Sequence, residues 1–144
     1  MVKEHLLNPA EFWGEWVLPS IARNDPSFEK QVYWQGRIWA PMNYLVWRGL
    51  RNYAQPAVAS ARGELAKKSL ALLLGEWREH HFVLENYNPH NGLGSADPRC
   101  EPLYFWGGLL GFTAIAESGK ISSLRGQRGQ KEPVRSYVQA SIPF

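Results

Sequence analysis

From Asn8 to about Glu117 the apolar residues recur mostly with a helical period, and the breaks between periodic stretches fall at proline or at polar turns. Asn8-Pro9-Ala10-Glu11 has the marks of a helix start: an Asn cap, Pro at the first helical position and Glu at the third, followed by Phe12, Trp13 and Trp16. Pro19 closes that helix. After a turn over Arg23 to Ser27, the stretch Gln31 to Trp39 reads as aromatic-rich and extended, and Pro41 opens a second helix. There Met42, Leu45, Val46, Gly49, Leu50 and Tyr53 fall on one face. A third helix runs from Ala57 to about His80, with Ala66, Leu70, Leu73 and Trp77 at helical spacing and Glu64 paired with Lys68 on its outside. The fourth, about Leu103 to Glu117, is apolar nearly all round, as suits a helix buried between neighbours. Leu84 to Pro102 is a long connection without periodicity, and its aromatic and amide content argues for order. No internal repeat is visible.

Composition narrows this picture. Of 144 residues, 44% are hydrophobic and 20% charged, which excludes a disordered chain over most of the length. Cys100 is the single cysteine, so neither an intrachain disulfide nor a multi-cysteine zinc site can form. The start Met-Val-Lys-Glu-His carries no evident signal peptide, and no apolar run is long enough to span a bilayer. The expectation is a soluble protein, with the cytoplasm favoured and no membrane partner. The net charge of +3 is a property of the tail: residues 120–144 hold five Lys/Arg and one acid, and the rest holds eleven bases and twelve acids. A nearly neutral body has no basic stripe to track phosphates, so a nucleic-acid partner is not expected.

Sequence chemistry is sparse. There is no phosphate-binding loop, dinucleotide fingerprint or zinc-protease motif, and neither a metal nor a cofactor is expected. His80 and His81 are adjacent and point to different sides of a helix, which makes them a helix-end pair and not a chelate. Cys100 lacks an activating neighbour. The remaining signal is a surplus of aromatic residues beside a carboxylate: seven tryptophans, and Glu85 flanked by Asn86, Tyr87 and Asn88. Sugar sites pair flat rings with amide, Arg and carboxylate groups. Read from the residues alone, Glu85 is either a cap or ion-pair partner for the preceding helix end, or a catalytic carboxylate. Trp47 and Trp77 fit a helical core, whereas Trp34 and Trp39, in the non-helical stretch, are the better platforms.

Three stretches carry a resemblance. Tyr33-Trp34-Gln35-Gly36-Arg37-Ile38-Trp39-Ala40-Pro41-Met42-Asn43-Tyr44-Leu45, Glu85-Asn86-Tyr87-Asn88-Pro89-His90-Asn91-Gly92, and Phe105-Trp106-Gly107-Gly108-Leu109-Leu110-Gly111 together resemble the C-terminal part of glycoside hydrolase family 63 over about residues 8–118. Residues 120–144, rich in Ser, Gly, Gln and Arg, read by composition as a flexible, polar, basic tail with some extended structure at Tyr137 to Ala140, unlike the family's ending. For the rest, the resemblance implies an all-α fold, a partial (α/α)6 toroid of about four helices over residues 1–119. It implies an inverting α-glycosidase acting on an α-linked oligosaccharide or small glycoside. Glu85 falls at the position of the general base. Tyr33, Trp34 and Trp39 match the motif lining the sugar subsite, Trp106 an aromatic near the pocket floor, and Arg37 and Asn43 possible polar contacts.

The family's general acid has no counterpart here. Asp25, the one Asp ahead of Tyr33, sits in a turn and not in the acid motif. The expectation is therefore a fragment or truncated form carrying the base side of the site and inactive alone. The alternative is a non-catalytic sugar-binding or self-associating helical module, using helix faces that a full ring would bury.

Overall fold

Two prolines set the helical frame. In the computed structural model, which describes residues 1–95 and 97–119, Pro41 lies in the first turn of α1 (Ala40–Leu50) and Pro56 opens α2 (Pro56–His80). Proline suits these positions because its missing N–H would have no helical partner there. α2 stops where His81 takes a left-handed conformation, φ 57°, its N–H bonded to the Trp77 carbonyl. A 3-10 turn, Phe105–Gly107, leads into α3 (Gly108–Glu117). α2 packs mainly on α3, and α1 lies against both. Among the described residues the fold is all-α apart from two short strands, β1 (Ile38–Trp39) and β2 (Asn86–Tyr87), paired antiparallel with Ile38 opposite Tyr87 and Trp39 opposite Asn86. The tail expected over 120–144, with its extended patch, lies outside the described residues.

The helix expected after Asn8 does not form. Asn8 caps as its sequence implies: its Oδ1 accepts the Ala10 N–H and its carbonyl accepts from Glu11, Phe12 and Trp13. The helix then fails to propagate because the next carbonyls are taken by distant cations. Arg23 Nη1 donates to the Phe12 carbonyl at 2.7 Å, and Lys68 Nζ donates to that of Gly14. Lys68 therefore faces inward, 4.4 Å from the Trp13 ring centroid, and Glu64 is left to the neighbouring Lys67. A π-helical turn appears instead at Val2–Leu6. The stretch 31–39 is likewise turned and not extended, with φ positive at Gln31, Tyr33 and Gly36; strand geometry is confined to its last two residues.

The buried faces also differ from those the spacing suggests. α1 buries Ala40, Asn43, Trp47 and Leu50 and leaves Leu45 64% exposed; Tyr53, beyond its end, is 56% exposed. α2 buries Val58, Ala61, Leu65, Ala66, Ser69, Leu72 and Glu76, whereas Trp77, expected in the core, is 45% exposed. α3 buries only Leu110 and Thr113, with Phe112 and Ile115 open to solvent. Both α1 and α3 thus carry a second apolar stripe that the described residues do not cover. Trp47 does sit in the core, which gathers Val17, Ile38, Leu65, Leu72, Leu84, Tyr87 and Leu110 around it.

One carboxylate joins the three helices. Glu117, at the end of α3, accepts the Trp47 indole N–H from α1 at 2.8 Å and the Arg62 Nε from α2 at 2.9 Å. Charge-assisted bonds of this kind contribute more than neutral ones, and the ion pair is only partly screened at 24% and 21% side-chain exposure. Glu117→Ala should lower stability by about 1–3 kcal/mol, read as the shift of a urea unfolding midpoint, and Glu117→Gln by less because one acceptor oxygen survives.

Candidate functional site

The three sequence motifs meet around one thread of backbone, residues 83–87. On one side the Val83 N–H bonds to the Pro102 carbonyl at 3.0 Å, Glu85 N–H to Glu101 at 3.1 Å, and Tyr104 N–H back to Val83 at 2.8 Å. On the other, β2 pairs with β1, whose Ile38 also bridges to Pro19. Glu85 is the residue at which the thread passes from the first set of partners to the second. The 3-10 turn bearing Trp106 follows directly, and Gly107 lies so close that a Cβ there would overlap the Leu84 carbonyl oxygen.

Each expected site residue has a definite place. Glu85 is half-buried, its Oε2 3.4 Å from the Asn86 side-chain amide. Asn86 is in turn held by Arg37, whose Nε donates to Asn86 Oδ1 and whose Nη1 meets Asp97 Oδ2 at 3.2 Å. Arg37, Asn86 and Glu85 form one chain of polar contacts. Trp34 stacks on Trp39 with centroids 3.7 Å apart and planes 20° apart, and Tyr33 stands edge-on to both. Trp39 is wholly covered, so the ring surfaces open to solvent are those of Trp34, 38% exposed, and Tyr33, 58% exposed. Gly36, at φ 82°, makes the turn that folds this hairpin of aromatic rings back toward β1, and a Cβ there would strike the Phe28 carbonyl. Tyr33 itself is left-handed at φ 50°, a conformation that costs a non-glycine residue roughly 1–2 kcal/mol. Trp106 is half-buried against Tyr104 and Phe105.

Asn43 has another role. Its Oδ1 accepts the Leu18 N–H at 2.9 Å, and its amide donates to the carbonyls of Leu18 at 2.9 Å and Trp39 at 3.0 Å. Both amide hydrogens and the oxygen are engaged in the interior, where the residue ties the 17–20 segment to the start of α1. A cleft of about 220 Å3 brings together Val32, Tyr33, Arg37, Asn86, Asp97 and Arg99. Glu85, Trp34, Trp39, Trp106 and Asn43 do not line it.

One residue that the sequence reading missed holds the loop after β2. Glu76, on α2 and almost wholly buried, accepts the Gly94 N–H at 2.7 Å, the Ser95 N–H at 3.1 Å and the Ser95 hydroxyl at 3.0 Å through Oε1. Its signal in the sequence is slight: a Glu on the apolar side of a helix between Leu72 and His80. Cys100 is buried with its thiol directed at the Asn86 carbonyl, and burial pushes the thiol pKa up. His80 leans on Glu76 at 3.9 Å. No group of three or more potential metal ligands occurs among the described residues, and no helix among them is long and apolar enough to cross a membrane.

Comparison with known proteins shows the family. Residues 1–107 match the family model described as "Mannosylglycerate hydrolase MGH1-like glycoside hydrolase domain". Mannosylglycerate hydrolase of Thermus thermophilus is 36% identical over 92 residues, 62% of this chain and 20% of that protein. Mannosyl-oligosaccharide glucosidase of Saccharomyces cerevisiae is 33% identical over 99 residues, 61% of this chain and 12% of that protein. Mannosylglycerate hydrolase MGH1 of Selaginella moellendorffii is 31% identical over 88 residues, 57% of this chain and 16% of that protein. The chain thus spans a fifth or less of the length of these relatives.

Two outcomes follow from the geometry. Glu76→Ala should cost about 2–4 kcal/mol, because the buried Gly94 N–H loses its acceptor, and should speed amide hydrogen exchange at Gly94 and Ser95 more than at α1; Glu76→Gln should restore most of the protection. Tyr87 is fully buried, and burial raises its phenol pKa above the ordinary 10, the charge of Glu76 adding to the effect. A raised folded-state pKa means that the stabilising contribution is complete below about pH 10 and is lost above it as the unfolded phenol ionises first. Unfolding midpoints should therefore fall between pH 10 and 11, and Tyr87→Phe should flatten that fall.

Proposed function

The chain belongs to the MGH1-like glycoside hydrolase family, and we propose that it forms the general-base side of an inverting α-glycosidase site. Glu85 is the base in this reading. Its carboxylate takes a proton from a water molecule while the water oxygen attacks the anomeric carbon. The glycosidic C–O bond breaks, and the leaving oxygen takes a proton from a carboxylic acid on a segment outside these 144 residues. The observation that carries the reading is the convergence on residues 83–87: Glu85 is held between two paired backbones beside Asn86, and the strand paired with Asn86 ends the motif that bears Trp34 and Tyr33.

Arg37 acts through Asn86, fixing the amide that faces Glu85 Oε2. Trp34 supplies the flat face for a sugar ring, with Trp39 as its backing. The substrate class is an α-linked oligosaccharide or small glycoside. The uncovered stripes on α1 and α3, with Leu45, Phe112 and Ile115 open to solvent, suit a partial (α/α)6 ring whose other hairpins pack there. A groove of about 720 Å3 alongside Val46, Gly49, Leu50, Tyr53 and Val58 continues the α1 stripe.

The purified chain alone is expected to release no p-nitrophenol from the α-glucoside, because protonation of the leaving group and most of the positioning are absent. In a chimera of the Thermus thermophilus mannosylglycerate hydrolase whose matching segment is replaced by residues 1–107, hydrolysis should be measurable. Glu85→Gln in that chimera should lower kcat by about 10²–10⁴ with little change in KM, and Trp34→Ala should chiefly raise KM. Hydrolysis by the isolated chain, or a Glu85→Gln chimera as active as its parent, would sink the assignment.

A further inference from the structure

A second cavity, of about 470 Å3, opens between the 3-10 turn at Phe28–Lys30 and the loop after β2, and Glu85 does not line it. Its walls include Lys30, Gln31, Arg37, Asn91, Asp97 and Arg99. The single carboxylate among these is already paired. Asp97 takes Arg99 through two parallel bonds at 3.0 Å and Arg37 at 3.2 Å, and the Arg99 bonds hold its pKa below the ordinary range. Three cations against one anion leave two positive charges in excess.

Two polar atoms on the cavity's wall residues lack partners among the described residues. Arg37 is 4% exposed, and its Nη2 is buried without a hydrogen bond. Gln31 donates through Nε2 to the Phe28 carbonyl, but its Oε1 is buried with nothing to accept from. A buried guanidinium arm and a buried amide oxygen are costly when unpaired. One lacks an anion or other acceptor; the other lacks a donor.

We propose that this cavity binds a phosphate monoester that also carries hydroxyl groups, a sugar or polyol phosphate. At pH 7.5 such a group is mainly a dianion, which matches the two excess positive charges; a carboxylate would leave one uncompensated. The phosphate oxygens face the exposed ends of Lys30 and Arg99, and a shift of the cavity wall on binding brings the covered Arg37 Nη2 to a phosphate oxygen and Gln31 Oε1 to a hydroxyl on the carbon body. The cavity shares Arg37 with the chain of contacts that reaches Glu85 through Asn86, but Glu85 does not line it and the proposal does not depend on the glycosidase reading.

The test is isothermal titration of the full chain at pH 7.5 and low salt with glycerol phosphate, inorganic phosphate and glycerate. Glycerol phosphate should bind once per chain, tighter than inorganic phosphate and at least about tenfold tighter than glycerate. Lys30→Gln and Arg99→Gln, both on exposed residues, should each weaken it about tenfold, and Gln31→Leu should remove its advantage over inorganic phosphate. Arg37→Met should abolish binding, with circular dichroism reporting whether the fold survives; the two exposed variants keep the test decisive if it does not. No saturable heat with either phosphate, or full affinity in both exposed variants, overturns the proposal. Glycerate binding as tightly as glycerol phosphate overturns the dianion assignment.

Discussion

Residues 83–87 are hydrogen-bonded on both sides, and the rest of the molecule is arranged around that constraint. Five residues cannot pair with 101–104 and with β1 at once unless the long connection after β2 folds back over them. Its return is secured by Glu76, which reaches from α2 to the Gly94 and Ser95 amides. Arg37 and Asn86 close the same junction from the β1 side. The helices form a scaffold, but the position of Glu85 follows from backbone pairing.

Polar side chains, most of them charged, do the joining in places where apolar area is short. A chain of this size buries a smaller share of its surface than a large domain, so polar tethers matter more. Glu117 binds three helices, Asn43 binds the 17–20 segment to α1, and Arg23 and Lys68 bind the otherwise irregular 12–14 turn. Each tether spans a wide sequence separation. Their removal should loosen different parts of the molecule, because no two of the three groups share a partner.

Much of the element order was legible in the sequence because it rests on local rules. Pro41 and Pro56 mark the starts of α1 and α2, and the absence of proline to Asn88 allows the length of α2. The buried faces were not legible. α1 offers two apolar stripes, and which one turns inward depends on where α2 and α3 lie, so Trp47 enters the core while Leu45 stays out. The helix after Asn8 fails for a similar reason: its carbonyls are claimed by Arg23 and Lys68, residues too distant for any local pattern to reveal. At the candidate site the motifs named Glu85 and the aromatic rings as candidates, but spacing alone could not say that Trp39 lies beneath Trp34 or that Asn43 is consumed internally. Glu76 was invisible because its partners are backbone amides.

The stacked Trp34 and Trp39 indoles have an optical consequence. Two chromophores 3.7 Å apart and 20° from parallel share their excitation, so they behave as one coupled absorber and not as two independent ones. Trp39 is anchored in β1, whereas Trp34 rides on the turn that Gly36 permits. The strength of that coupling is an intrinsic gauge of whether the aromatic turn is seated on the strand, readable without any added label.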